Sequence, residues 1–445
     1  MTTRTVTARS LVAVGVLALS FAAFATLCLA RRVPMADTLV YRAEGAAVVD
    51  GTDLYGFTVT QWRLPATYPP FAAILFVPTT WPPVGVLKCA FVVGNLALLA
   101  LLVRLSGRFA GLRYGGPYGP VRPAPYVLRY VLPIALPVAA GLALWLEPVF
   151  QTVLFGQINL ALACLVLWDL SRPEHAVGKG FALGVAAGVK LTPAIFLVYL
   201  LVTGRVRAGL TALASLTGTV LLGALVLPRA SADFWTRRVF ETDRVGKAWI
   251  VDNQSLRGLL SRVLRTTDPG PVWAVAAALT AAAGLWLARR VFLRHGLETW
   301  GVLVTALTAL LVSPISWSHH WVWCVPLLAV LIAEGHHRTA AAAGVVWTAR
   351  TLWAVPHRGD LDLRLPWWQQ PLASPYPLAA LALLAWIARR TADAPLSPAP
   401  RQSAPRHPTP RPPTPLHTAP EHPAPQHPAP ATQFPASSSS ASTIR

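Results

Sequence analysis

The sequence predicts an all-α polytopic membrane protein, a bundle of about 10–12 transmembrane helices with re-entrant or broken segments and a long first extracytoplasmic loop. Three observations predict it. Of the 445 residues, 54% are hydrophobic and only 13% are charged, whereas a soluble domain carries roughly 25% charged residues. The apolar runs approach the roughly 20 residues that span a bilayer as a helix. The net charge of +20 comes from arginines set in short loops between those runs, where they orient a membrane protein. That placement argues against nucleic acid as the partner. Cys28, Cys89, Cys164 and Cys324 all lie in apolar segments without zinc or disulfide spacing, so they read as small core residues.

In chain order, Leu11–Ala30 is a first anchor. It is longer than the apolar core of a signal peptide and ends in Arg31-Arg32, so it reads as retained, with its N-terminus inside. Residues 33–70 then form a polar, acid-bearing loop with Asp37, Glu44, Asp50 and Asp53 among Tyr41, Tyr55, Trp62 and Tyr68. Phe71–Pro78 is too short to cross. Val84–Leu102 is the next span, followed by a loop with Arg104, Arg108, Arg113, Arg122 and Arg129 and no acid. This loop is the strongest inside signal, and it puts Asp37 on the extracytoplasmic side.

Spans over 130–145 and 152–170 bracket Glu147-Pro148 outside. In 180–202, Lys190-Leu191-Thr192-Pro193 interrupts an apolar run. A single crossing would leave Arg205 and Arg207 outside. A re-entrant hairpin, or two short helices, keeps them inside, and broken backbone at membrane depth is tolerated where it lines a cavity. Further spans are expected near 210–227, 272–287, 300–312, 321–333, 340–355 and 375–387, separated by a long outer loop from Arg229 to Pro271. The alternation closes with both termini cytoplasmic. Residues 1–390 are thus one membrane domain. Residues 391–445, rich in Pro, Ala, Ser and His, cannot build a core and read as a disordered cytoplasmic tail.

Ionisable groups in or beside a span are costly and are functional candidates by default. Asp37 follows the first anchor closely. It is either a solvated loop acid or a general base at the water boundary. Glu44 and Asp53 read as loop-structuring or sugar-binding acids. Lys190 needs a partner such as Asp169, or serves with the broken backbone as a phosphate site. His319 and His320 stand at the outer mouth of a span, and neighbouring helical residues diverge by about 100°, so one faces the cavity and the other packs or hydrogen-bonds. Gln157 and Asn159 hydrogen-bond between helices or line a cavity. Trp317, Trp321 and Trp323 suit an interfacial belt, and one of them suits sugar stacking.

Taken in order, these pieces resemble glycosyltransferase family 87, the polyprenol-phosphate-mannose-dependent α-(1→2)-mannosyltransferases. The matching pieces are Asp37 with Val40-Tyr41, Asp53-Leu54-Tyr55, Tyr68-Pro69-Pro70-Phe71, Gly156-Gln157-Ile158-Asn159, Val189-Lys190-Leu191-Thr192-Pro193, Asn253-Gln254-Ser255-Leu256 and Ser313-Pro314-Ile315-Ser316-Trp317 with His319-His320-Trp321. The resemblance covers roughly residues 10–390. It implies a GT-C-type bundle, a site on the extracytoplasmic face, a polyprenyl-phosphate-mannose donor and a glycolipid or glycan acceptor. It also implies Asp37 as the catalytic base and His319 or His320 as the site histidine. Lys190, Arg257 and one histidine are then expected to receive the phosphate. Tyr68, Gln157, Asn159, Asn253 and Gln254 are expected to bind substrate. No metal and no cofactor are expected. The rival readings are a lipid-linked sugar transporter or flippase, which would use the broken hairpin but not the first loop, the same fold moving another sugar such as arabinose or glucose, and a non-catalytic assembly factor.

Overall fold

The computed structural model describes residues 3–30, 35–111, 132–357 and 359–392. Arg31, Arg32, Arg113, Arg122, Arg129 and the expected tail from 393 onward lie outside the described residues.

Nearly all regular structure is helical. The first part of the chain runs α1 (Thr3–Ala30), α2 (Ala36–Asp50), α3 (Pro70–Phe76), α4 (Val84–Phe109), α5 (Leu132–Ala143), α6 (Glu147–Phe155) and α7 (Asn159–Leu170). It continues through α8 (Phe181–Val189), α9 (Ala194–Val202), α10 (Val206–Val226), α11 (Pro228–Asp233), α12 (Leu256–Leu264), α13 (Gly270–His295) and α14 (Glu298–Val312). The last elements are α15 (Cys324–Ala333), α16 (His337–Thr348), α17 (Gln370–Ala373) and α18 (Pro375–Ala392). A two-residue hairpin, β1 (Thr58–Val59) against β2 (Leu64–Pro65), sits in the first loop with Thr58 opposite Pro65.

Among the described residues, three helices, α4, α10 and α13, are long and apolar enough to cross a bilayer alone, and up to five spans result if each bent pair counts as one. The all-α membrane bundle with broken segments is as expected, its remaining apolar helices being shorter or bent. Much of the apolar length is cut into short pieces by Gly, Pro and polar residues, and those pieces lie against protein. The predicted single span over 152–170 breaks at Gly156, whose φ of 69° sets the corner between α6 and α7. α5 and α6 are themselves bent by 76°. Leucines and valines on α4, α10 and α13, among them Val93, Leu221, Leu225 and Leu279, face outward, as a lipid-facing surface requires. α14 is the opposite case, with every residue from Trp300 to Leu311 buried. A helix buried on every side belongs in the middle of a bundle, and its Thr305 and Thr308 hydroxyls donate to carbonyls of the same helix.

The segment around Lys190 doubles back. Contacts from Gly180 to Ala208, from Gly184 to Ala212 and from Gly188 to Thr219 rise together along both helices, so α8 runs parallel to α10. Gly209 meets Leu201 across the short turn from α9 to α10, so α9 runs antiparallel to both. The hairpin expected from the Lys-Leu-Thr-Pro break is therefore present, with Lys190 in extended backbone at its tip (φ −148°, ψ 126°). At its base, Lys179 and Arg205 both pair with Glu174, at 2.7 and 3.1 Å, and Arg205 reaches Glu298 at 2.8 Å. Asp169 does not pair with Lys190. Its carboxylate accepts from the backbone N–H groups of Gly180 (3.0 Å) and Leu183 (2.9 Å), capping α8 where the helix dipole favours an anion.

Helix ends rich in arginine collect at this base. Arg289 donates to the Val202 carbonyl, Arg290 to that of Thr391, and Thr299 to that of Phe109. Arg390 contacts His336 at 2.8 Å. The hairpin tip, α2, the α6–α7 corner and the end of α14 form the cavity described next.

Candidate active site

Each wall of the site is built by a local interruption of helix. α2 follows Met35 and presents Asp37 in its first turn. Its first residues are seated by the Gly156 corner, where the Thr38 hydroxyl donates to the Gly156 carbonyl at 3.4 Å. A Cβ at position 156 would overlap the Thr38 side chain, and the positive φ disfavours any other residue there. On the far side of α2, a Cβ at Gly45 would come within 2.5 Å of the Phe76 carbonyl, so glycine lets α2 lie directly on α3. Glu44, buried on α2, accepts from the Thr67 backbone N–H at 3.2 Å and thereby fixes the strand leading to Tyr68. Burial pushes its carboxyl up to about 8. Asp53 caps its own turn by accepting from the Tyr55 N–H at 3.0 Å. Both acids structure the loop.

The cavity has a volume of about 890 Å³. Asp37, Tyr68, Gln157, Lys190, His319 and His320, which the sequence singled out, all line it. The tyrosine hydroxyls of Tyr41 and Tyr68 both donate to Gln157 Oε1, at 2.9 and 3.2 Å. This fixes the amide so that its NH₂ side serves Asp37. Burial raises the Asp37 carboxyl to about 6, against the opposing pull of the Gln157 hydrogen bond and the Lys190 charge. A carboxylate so placed is a usable base near neutral pH.

Lys190 Nζ donates to Asn159 Oδ1 at 3.1 Å and lies 2.9 Å from His320 Nε2. It also lies 5.6 Å from the centre of the Tyr68 ring. An ammonium can only donate, so His320 accepts at Nε2 and carries its proton on Nδ1. Asn159 is one step behind the wall. It holds Lys190 and donates to the His319 carbonyl at 3.0 Å, where Thr152 also donates at 3.0 Å. The His319 ring is packed edge-on to Phe155, at 5.5 Å between centroids. Neither of its nitrogens has a hydrogen-bond partner among the described residues. Both histidines line the cavity, but they differ in their partners: His320 is engaged by Lys190, and both His319 ring nitrogens are without a hydrogen-bond partner among the described residues.

Besides Asn159, three expected substrate residues are not on the cavity wall. Asn253 donates to the carbonyls of Ala248 (2.8 Å) and Pro314 (3.1 Å) and accepts from the N–H groups of Ser255 (3.2 Å) and Ser316 (2.9 Å). Gln254 donates to Val251 and Ala373 carbonyls and accepts from the Tyr376 N–H. Arg257 pairs with Asp243 at 3.0 Å and Asp268 at 3.4 Å and lies over Trp273. All three anchor the outer loop to the bundle, because buried polar groups must find partners. Conversely, Arg244 and Asp252 do line the cavity. Arg244 donates to the Ala66 carbonyl and sits 5.5 Å from the Tyr55 ring. Nothing in their sequence context separated them from the other polar residues of an outer loop.

Residues 66–314 match the profile of glycosyltransferase family 87. The chain is 37% identical over 379 residues to a polyprenol-phosphate-mannose-dependent α-(1-2)-phosphatidylinositol mannoside mannosyltransferase of Mycobacterium tuberculosis, covering 81% of this chain and 86% of that one. A phosphatidylinositol pentamannoside mannosyltransferase of the same species is 34% identical, with 79% of this chain and 80% of that one covered. A phosphatidylinositol mannoside mannosyltransferase of Mycolicibacterium smegmatis is 32% identical over 80% of this chain and 84% of its own. No solved structure matches. Identity at this level over most of both chains, with a family profile that spans the α3-to-α14 segment around the cavity, makes this chain a member of glycosyltransferase family 87.

Proposed function

We propose that the protein transfers mannose from a polyprenyl-phosphate-mannose donor to a hydroxyl of a glycolipid acceptor, with inversion, forming an α-(1→2) link. The observation that carries this reading is a carboxylate, Asp37, and an ammonium, Lys190, on the wall of one cavity with His319. The relatives' names supply the donor and acceptor class.

In this reaction the acceptor oxygen attacks the anomeric carbon as its proton passes to Asp37. The bond from that carbon to the phosphate oxygen breaks on the opposite face, so a β-linked donor yields an α product. Negative charge grows on the departing polyprenyl phosphate, where Lys190 and a protonated nitrogen of His319 stabilise it. A phosphate leaves without needing a proton, so one carboxylate suffices where a glycosidase uses two. Gln157 orients Asp37, and Asn159 orients Lys190. The cavity opens on the extracytoplasmic side, with both termini inside. This sidedness is supported by the arginines that gather at the opposite end of the bundle, at the ends of α13 and α18 and the start of α10.

Membranes carrying the protein, given radiolabelled polyprenyl-phosphate-mannose and a phosphatidylinositol mannoside, should form a product whose methylation analysis shows a 2-linked mannose. Asp37→Asn should abolish it. Equal transfer by both proteins removes Asp37 from its role. Absence of transfer by either, with movement of the lipid-linked sugar across the membrane, replaces the transferase by a flippase.

A further inference from the structure

Asp252 places on the cavity wall a carboxylate that the proposed reaction leaves unused. It is half-buried, and among the described residues no base pairs with it and no donor reaches it; the charges that act on it are the acids Glu147 and Asp362. Its backbone is clamped on both sides. The Val251 N–H donates to Asp362 Oδ1 at 2.9 Å, and Asn253 forms an antiparallel bridge with Trp317. The side chain is therefore held in place without an ion-pair partner among the described residues. Burial and those acids push it up to about 7, so hydrogen-bond donors that reach it favour its ionised form.

Two aromatic faces line the same cavity. The Trp317 ring lies on Gly246, where a Cβ would come within 2.9 Å of it. Trp353 donates its indole N–H to Glu147 at 3.0 Å, which fixes the ring from behind. An unpaired carboxylate repels a phosphate, so this wall does not serve the leaving group. A rigid carboxylate beside indole faces suits a pyranose: vicinal hydroxyls donate to the oxygens, and the apolar C–H face lies on an aromatic ring.

We infer that Asp252, with Trp317 and Trp353, forms the subsite for the acceptor's sugar, gripping hydroxyls next to the one presented to Asp37. The assignment to acceptor rather than donor rests on the transferase reading; the binding of a hexoside does not. Initial rates with donor and acceptor varied separately test the first part. Asp252→Ala should raise the acceptor KM about tenfold or more, the scale of a charged hydrogen bond, and leave the donor KM within about twofold. Asp252→Asn, which keeps one acceptor oxygen and the shape, should fall between. A rise confined to the donor KM, or no change in either, overturns the assignment. Tryptophan-fluorescence titration of the purified protein with octyl α-D-mannoside tests binding even if transfer fails. The wild type should bind, and Asp252→Ala should bind about tenfold more weakly. Equal affinities, at matching melting temperatures, would refute the subsite without bearing on the transferase reading.

Discussion

Replacing Asp37 by Asn should make the protein inactive and more stable, and the stabilisation should depend on pH. Burial lifts the carboxyl from 3.8 to about 6 in the folded protein. The folded value lies above the unfolded one, so the ionised folded form is disfavoured. That penalty is absent below about pH 4, grows as pH rises, and is complete above about pH 6. At 1.36 kcal/mol for each unit, a rise of this size corresponds to about 3 kcal/mol. Asn keeps the volume and still accepts from Gln157, but it takes from Lys190 the carboxylate that acts on its charge. The net gain at pH 8 is then about 1–2 kcal/mol, taking that loss from the same scale. Thermal melts in detergent at pH 5 and pH 8 measure it, and transfer assays on the same samples measure the rate. The rate should fall by roughly 10²–10⁴-fold, the contribution of a general base. Wild-type kcat/KM should climb with pH through about 6 and level off above it. An Asn variant that melts below the wild type at pH 8, or gains equally at both pH values, refutes the buried-carboxylate argument. Retained transfer refutes the base.

Three further outcomes follow from the same geometry. Lys190→Met should lower kcat/KM for the lipid-phosphate donor by about 100-fold or more, because a charge aimed at the leaving phosphate is lost; Lys190→Arg should restore only part of it in the same assay. Gly156→Ala sets a Cβ against Thr38 at a φ of 69°, a conformation costing about 1–2 kcal/mol for a non-glycine residue; melting temperature and kcat should both fall, and the second change Thr38→Ala should recover part of the rate. Arg257→Ala removes the pairs to Asp243 and Asp268 and should lower the melting temperature while the donor KM of the folded protein stays within about twofold, a result in the opposite direction showing that Arg257 does reach substrate.

How much of this was legible in the sequence depends on what makes a residue conspicuous. Lys190 stands out because an ammonium in an apolar run has few places to go, and keeping Arg205 and Arg207 inside already favoured a chain that doubles back there. Asp37 stands out by its nearness to the first anchor. Asp252 and Arg244 belong to a long polar loop, where one more charge carries no signal, and only the folding of 234–252 over the cavity gives them a role. The break at Gly156 was hidden for another reason: hydropathy is blind to the sign of φ. Asn253 marks the hardest limit. Its amide makes two donor and two acceptor contacts, shared between its own loop and the one that carries Trp317 and His319, so it has nothing left for a substrate, yet an asparagine that saturates buried backbone and one that grips a sugar look alike in one dimension. The converse count identifies His319. Its backbone carbonyl is taken by Thr152 and Asn159 while both ring nitrogens go unpartnered among the described residues, and a buried ring that leaves both nitrogens unmet is costly unless a ligand supplies the partner. His320, already engaged by Lys190 at 2.9 Å, positions that ammonium instead, so loss of the His319 ring should reduce the rate with any lipid-phosphate donor, whereas His320→Gln, which can still accept from Lys190, should be partly tolerated.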